Sequence, residues 1–270
     1  MKFTKCVCVW QKREREQRKK LQHFLTDLAL LGSLQGFRYF QPWLRGREEL
    51  LLTVVNEDLV SVELTSLINC TYLVFSNIQK SMMSHSFKGS SEAHLLPASP
   101  SEREIAVPEV NCTLFLLAGY AKYGRPYAWI RSNHERLVNI GGTNSMVKDT
   151  PMKLKAITDW GSQGIRVWDV VSELVCLCTV PSPSNPFALD MRYLKSLPLP
   201  ERFLVSGALL NFLETYAVYG NRDELHYDKV IEEMKSLRRL HVQTLSEVQR
   251  RPGRSTRPAT PVSGESSEEE

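Results

Sequence analysis

The strongest constraint on the fold is a pair of helical patterns between residues 200 and 250. Pro198 and Pro200 end whatever precedes them. Proline is tolerated in a first helical turn because its missing N–H would be unpaired there. Glu201 then suits the positive end of a helix dipole. From 203 to 219 nearly every position is apolar, and only Asn211, Glu214 and Thr215, with Gly207, make a narrow polar strip. A helix apolar on most of its circumference belongs inside a domain. A stretch of about 17 residues is at the lower limit for a membrane span, and this one carries Asn211 and Glu214, so a core helix is expected and no membrane span. Gly220 is expected to close it as a left-handed cap.

Asn221, with Glu224 three residues on, resembles the start of a second helix. Tyr227, Val230, Met234, Leu237, His241, Leu245 and Val248 then recur at steps of three and four, which keeps them on one stripe. Glu232, Lys235, Arg239 and Gln243 fall opposite. The connection is short, so the two helices should run antiparallel and pack together.

At 270 residues the chain can bury a substantial core. The formal net charge is +4, and the last residues distort it: without Glu265, Glu268, Glu269 and Glu270 the body is about +8. That is a mild bias toward acidic partners, short of a nucleic-acid signature. Residues 1–10 are too short and mixed for a signal peptide, and six scattered cysteines in a long chain favour reduced thiols. A cytoplasmic or nuclear location is expected.

Four regions are expected. Residues 1–36 hold a basic, then amphipathic helix: Lys12, Arg13, Arg15, Arg18, Lys19 and Lys20 stand against Glu14 and Glu16, and Leu21, Phe24, Leu25, Leu28 and Leu31 form an apolar face. The basic run is either a solvated half of a docked helix or a binding surface for phosphate, anionic membrane or import machinery. Residues 37–145 are β-rich. The runs 50–55 and 60–64 read as a hairpin around Asn56-Glu57-Asp58, 72–75 and 110–118 as strands, and 80–103 as a long mobile loop. The runs 127–131 and 136–140 flank Ser132-Asn133-His134-Glu135 as a further hairpin, with Tyr127 and Trp129 on one face and Ala128 and Ile130 on the other. Residues 146–250 are helical: 151–160 is a short helix, 165–179 a longer one, and 200–250 the αα-hairpin. Residues 251–270 hold almost nothing to bury and are expected to be disordered.

Catalytic and metal signatures are not found. Gly141-Gly142-Thr143 lacks the lysine of a phosphate loop, and no serine sits in a nucleophile elbow. Cys6-x-Cys8 and Cys176-x-Cys178 lack the spacing of zinc-ligand pairs. No metal and no cofactor are expected. Three sets of candidate site residues remain. The first is the basic run Lys12, Arg13, Arg15, Arg18, Lys19 and Lys20. The second is an aromatic and basic strand face, Tyr127, Trp129 and Arg131, with His134 and Arg136 in the neighbouring turn; RNA-binding sheets need exposed aromatics beside such cations. The third is a set of modifiable hydroxyls in the tail, Thr260, Ser263, Ser266 and Ser267, where each phosphate would add about −1.5 to −2 charges.

The expected fold class is α+β, an antiparallel β-region with an N-terminal helix and a C-terminal helical half ending in the αα-hairpin. The expected function is a non-enzymatic interaction or regulatory protein, of the adaptor, assembly-factor or virus-type accessory kind, with protein partners. A nucleic-acid-binding protein using the basic helix is the alternative, and an enzyme of unrecognised family the third. Oligomeric state is left open.

Overall fold

The computed structural model describes residues 2–56, 112–131, 150–161 and 164–250, with side chains from residue 11 onward. The fold is α+β: a four-stranded antiparallel sheet stands against an N-terminal helix and a set of C-terminal helices. The elements in order are α1 (Lys2–Gly32), β1 (Phe40–Leu44), β2 (Glu49–Val55), β3 (Cys112–Ala118), β4 (Tyr127–Ile130), α2 (Lys155–Thr158), α3 (Val167–Cys178), α4 (Met191–Ser196), α5 (Leu199–Tyr219) and α6 (Tyr227–Arg250). Short 3-10 turns at Ala121–Tyr123 and Asp159–Gly161 complete them.

The strands lie in sequence order, each antiparallel to the next, with Leu52 of β2 opposite Pro42 of β1 and Phe115 of β3. Both sides of β2 are therefore occupied. The expected hairpin between 50–55 and 60–64 is corrected on that ground, because β2 has no free edge for a third partner. Residues 60–64, 72–75, 80–103 and 136–140 lie outside the described residues, as does the tail from 251.

Side-chain alternation divides the sheet. Leu50, Leu52 and Val54, with Phe115, Leu117, Ala128 and Ile130, face the helices and join one continuous core with α1, α3, α5 and α6. Leu51, Leu114, Leu116, Ala118, Tyr127 and Trp129 form a second cluster on the opposite face, with Trp43, Tyr120 and Tyr123 against it. Burial on both faces explains why β2 and β3 read as unbroken apolar runs and not as alternating ones.

Among the described side chains of α1, the buried ones lie in its C-terminal part. Leu21, Phe24, Leu28 and Leu31 are buried against the sheet and α3. Gly32 lies so close to β1 and β2 that a Cβ there would stand 2.8 Å from Leu50 Cδ1 and 2.9 Å from Leu44 Cβ. Gly36 has φ +103°, a conformation only glycine adopts freely, and turns the chain toward β1. There the Asp190 N–H donates to the Gly36 carbonyl, and the Arg38 N–H to that of Ala188, which ties the turn to the start of α4.

The αα-hairpin forms with three corrections. Gly220 is extended, at φ −69° and ψ 156°, so the left-handed cap is not made. The second helix begins at Tyr227; Asn221 instead accepts the Asp223 N–H on its side-chain oxygen and builds a turn. Finally, α5 is buried on one side only. Leu209, Phe212, Leu213 and Tyr216 enter the core, while Leu204 and Val218 are exposed. Between the helices the His241 ring stacks on Phe203 and lies 2.8 Å from Ser206 Oγ, which itself donates to the Arg202 carbonyl. The Ser206–His241 pair is a tie across the helix interface.

Candidate functional site

A cleft of about 550 Å3 opens between α2, α3 and the corner where α5 passes into α6. Its walls carry four carboxylates, Asp159, Asp169, Glu173 and Glu224, against one lysine, Lys155. Tyr219 and Asn221 close the corner side, and Cys176 lies on the α3 side.

Two of the carboxylates have backbone duties. Glu173 accepts the N–H groups of Lys155 and Ala156 at 2.7 and 2.9 Å, which caps α2 from a neighbouring helix. Asp169 accepts the Arg166 N–H at 2.7 Å and fixes the entry to α3. Burial pushes the Asp169 carboxyl up to about 6; the Arg166 N–H pulls the other way, and the Glu224 charge adds to the rise. Glu224 itself stands 2.9 Å from His226 Nε2.

Arg166 forks onto the Asp27 carboxylate, Nε to Oδ2 at 2.5 Å and Nη2 to Oδ1 at 2.7 Å. Its guanidinium lies over the Trp168 ring at 4.6 Å and the Tyr219 ring at 5.0 Å. The Asp27 contact holds the guanidinium more firmly protonated than an ordinary arginine. One cation thus joins α1, α3 and the end of α5. Behind it Tyr216 is only 1% exposed, and its hydroxyl has no hydrogen-bond partner among the described residues.

The Asp169 shift has a consequence for stability. A carboxyl whose folded value lies near 6, against about 3.9 unfolded, binds its proton more tightly in the native state. Its favourable contribution is complete below about pH 4 and is lost as pH rises through 6. Asp169→Asn keeps the acceptor for the Arg166 N–H and removes the charge. The variant is expected to be more stable than the parent by about 1–2 kcal/mol at pH 7.5, with the difference closing below about pH 4. Urea melts at the two pH values measure it, and equal midpoints at pH 7.5 would contradict it.

The sequence candidates are dispersed. Lys12, Arg13, Arg15, Arg18 and Lys19 are exposed and Lys20 half-buried, all on the segment of α1 before Leu21, its first buried residue among those described. Arg18 pairs with Glu14 one turn back, and Arg15 donates to the Gln11 carbonyl. The aromatic strand face is corrected. Trp129 is fully buried, Tyr127 and Arg131 nearly so, and Tyr127 stacks on Trp129 at 5.9 Å. A base cannot stack on rings that are already covered. His134, Arg136, Thr260, Ser263, Ser266 and Ser267 lie outside the described residues.

The cleft was not foreseen in the sequence. Its carboxylates come from 159, 169, 173 and 224, and only folding brings them together. Asp169 and Glu173 are one turn apart on α3, the single local clue. Cys176 and Cys178 diverge as helical geometry requires: the first is exposed in the cleft, and burial pushes the thiol of the second up to about 12. Among the described residues no group of three or more His, Cys, Asp or Glu is placed to hold a metal ion, and no helix is long and apolar enough to cross a membrane.

A model of the family described as a domain of unknown function (DUF7886) matches residues 99–243, more than half of the chain, and the chain belongs to that family. No curated protein and no solved structure matches it. The matched stretch holds β3, β4, α2 to α5, most of α6 and every residue of the cleft; α1, β1 and β2 precede it.

Proposed function

We propose that the chain is a protein-interaction module of the adaptor or assembly-factor kind, working in the cytoplasm or nucleus, whose α1 arm docks on an acidic partner. One observation carries this. The helix Lys2–Gly32 is continuous, yet residues 11–20 bury no side chain while Leu21, Phe24, Leu28 and Leu31 are locked in the core. A helix polar all round its circumference gains little from its own fold. Across 12–20 six cations stand against two glutamates, and among the described residues Lys12, Arg13 and Lys19 have no carboxylate partner. At 1.5 Å per residue, ten such residues extend about 15 Å beyond the last packed turn, a reach suited to an acidic groove or helix face.

The test compares the parent with a variant carrying Lys12, Arg13, Arg15, Arg18 and Lys19→Gln. Binding of a glutamate-rich peptide, a DNA duplex and a single strand is titrated between low and physiological salt. Exposed ion pairs contribute about 0.2–1 kcal/mol each, so the variant should lose at least about tenfold in peptide affinity. Equal peptide affinity in parent and variant removes the proposal. Tighter binding to either nucleic acid, with log affinity falling steeply against log salt, would transfer the arm to the nucleic-acid alternative.

A second reading, an enzyme using acid–base chemistry, is favoured by Asp169. A carboxyl titrating near 6 in a cleft, with Glu224 and His226 alongside, is poised to exchange a proton at neutral pH. Against it, Asp169 and Glu173 already hold helix N-termini. Turnover on a small-molecule panel, with a pH limb near 6 that Asp169→Asn abolishes, would establish this second reading and displace the first.

A further inference from the structure

We propose that the first turns of α1 dock as a helix in an apolar groove of an acidic partner protein, with Phe3, Cys6, Val7 and Trp10 as the anchors. The inference rests on the reading of α1 as a docking arm and names what the tip of that arm recognises. Register is the first ground. The backbone is helical without a break from Lys2 to Gly32. Leu21, Phe24, Leu25 and Leu28 mark the face of α1 that packs into the core. Phe3, Cys6, Val7 and Trp10 stand 18 positions before them, one for one. At about 3.6 residues per turn that separation is about five turns, so both sets of positions lie on one face of the same helix. Between them that face is polar, with Glu14 and Gln17. The apolar pattern therefore occurs twice, once in the domain and once about 16 to 27 Å beyond Leu21 along the axis.

Spacing is the second ground. Counted from Phe3, the other anchors fall at steps of three, four and seven. Those steps are the signature of an amphipathic helix laid in a groove. Trp10 is also of the residue type most enriched where binding energy concentrates.

Charge and shape select the occupant. Across 12–20 six cations stand against two glutamates, so the arms of two copies would repel each other, while an acidic rim would attract one. An anionic bilayer is the other surface that a basic amphipathic helix suits, and shape argues against it. The face shared by the tip and Leu21–Leu28 is the one on which the sheet and α3 lie. The domain therefore projects on the same side as positions 3, 6, 7 and 10. A flat membrane lying along that side of the arm would run into the domain, whereas a partner protein fits the corner between them.

Calmodulin serves as the probe. Calcium opens its methionine-rich groove, and that groove repacks around varied helices. Calcium also reduces its negative charge, so a purely electrostatic contact would weaken when calcium is added. Calorimetric titration of the full chain with calmodulin, in calcium and in a calcium chelator, compares the parent with Phe3→Ala, Trp10→Ala and, off the stripe, Thr4→Ala. Co-sedimentation with phosphatidylserine–phosphatidylcholine vesicles is the membrane arm, and thermal melting checks each variant for folding.

The parent should bind calcium-loaded calmodulin at least about tenfold more tightly than the calcium-free form. Phe3→Ala and Trp10→Ala should each weaken that binding at least about tenfold, and Thr4→Ala should leave it unchanged. No binding of calcium-loaded calmodulin at micromolar concentration, equal affinity with and without calcium, or no effect of either anchor variant overturns the proposal. Vesicle binding that the anchor variants abolish, without binding to calmodulin, overturns it in favour of a lipid surface. A lower melting temperature in Phe3→Ala or Trp10→Ala would place the tip in the core and overturn it as well. A parent that binds the glutamate-rich peptide but not calmodulin keeps the acidic-partner reading and loses this inference; one that binds neither loses both.

Discussion

Phe212→Ala is expected to destabilise the fold by about 3–5 kcal/mol, the usual cost of emptying a large aromatic site in a core. Phe212 is 1% exposed on the inner side of α5. Its ring meets Phe37 edge-on at 5.8 Å, Trp168 at 6.3 Å and Phe187 at 6.1 Å. Those partners come from the α1–β1 turn, α3 and the segment before α4, so the cavity would open where four parts of the chain meet. At roughly 2–4 °C per kcal/mol for a domain of this size, the melting temperature should fall by about 10 °C. Leu204→Ala on the same helix is the control. That side chain is 68% exposed, and its loss should stay within about 0.5 kcal/mol. Similar melting temperatures for the two variants would mean that α5 is not the centre of the core.

Arg166→Met should cost as much, about 3–5 kcal/mol, for an electrostatic reason. The Asp27 carboxylate is only 6% exposed and takes two N–H donors from Arg166. Removing the guanidinium leaves a buried charge without its partner, which is the costly half of any buried ion pair. Arg166→Lys should recover only part of the loss. An ammonium cannot fork onto both carboxylate oxygens while lying flat on Trp168 and Tyr219. The double variant Asp27→Leu with Arg166→Met removes both charges and should be markedly more stable than Arg166→Met alone. Chemical denaturation of the four proteins measures the set. If Arg166→Met matched the parent, the link between α1 and α3 would be dispensable.

Periodicity carried much of the architecture. The stripe Val230–Leu237 and the run Val167–Cys178 announced helices because one face of each is apolar at steps of three and four, and both form. The alternation at Tyr127–Ile130 correctly divided the strand, with Tyr127 and Trp129 on one side and Ala128 and Ile130 on the other. Period alone could not say that both sides would be covered, which depends on distant parts of the chain. For that reason an apparent ligand-stacking face became core. The strand Phe40–Leu44 escaped notice because Pro42 counts against a strand; among the described residues it is accommodated at the sheet edge, where a missing N–H costs nothing. The cap at Gly220 failed because glycine permits the left-handed conformation without requiring it.

The candidate site divides in the same way. The basic run was legible because charge density along one helix is a local property, and exposure of 11–20 follows from the absence of anything to bury. The cleft was illegible because Asp159, Asp169, Glu173 and Glu224 belong to the turn after α2, to α3 and to the corner joining α5 to α6. The ion pair between Asp27 and Arg166 spans 139 positions of sequence, and neither residue carries a mark that it will be buried.

The central claim is that α1 is one helix with two fates, a packed half and a free arm. Native-state hydrogen exchange of its amides tests this most directly. Packed residues should exchange only through the larger unfolding reactions of the domain, while an exposed, unpacked helical segment opens locally at little cost. The account predicts strong protection for 24–31, rapid exchange for 11–20, and slowing of 11–20 alone when a glutamate-rich peptide is added. Uniform strong protection from 11 to 31 in the free protein would contradict it, because the arm would then already be packed against the rest of the chain.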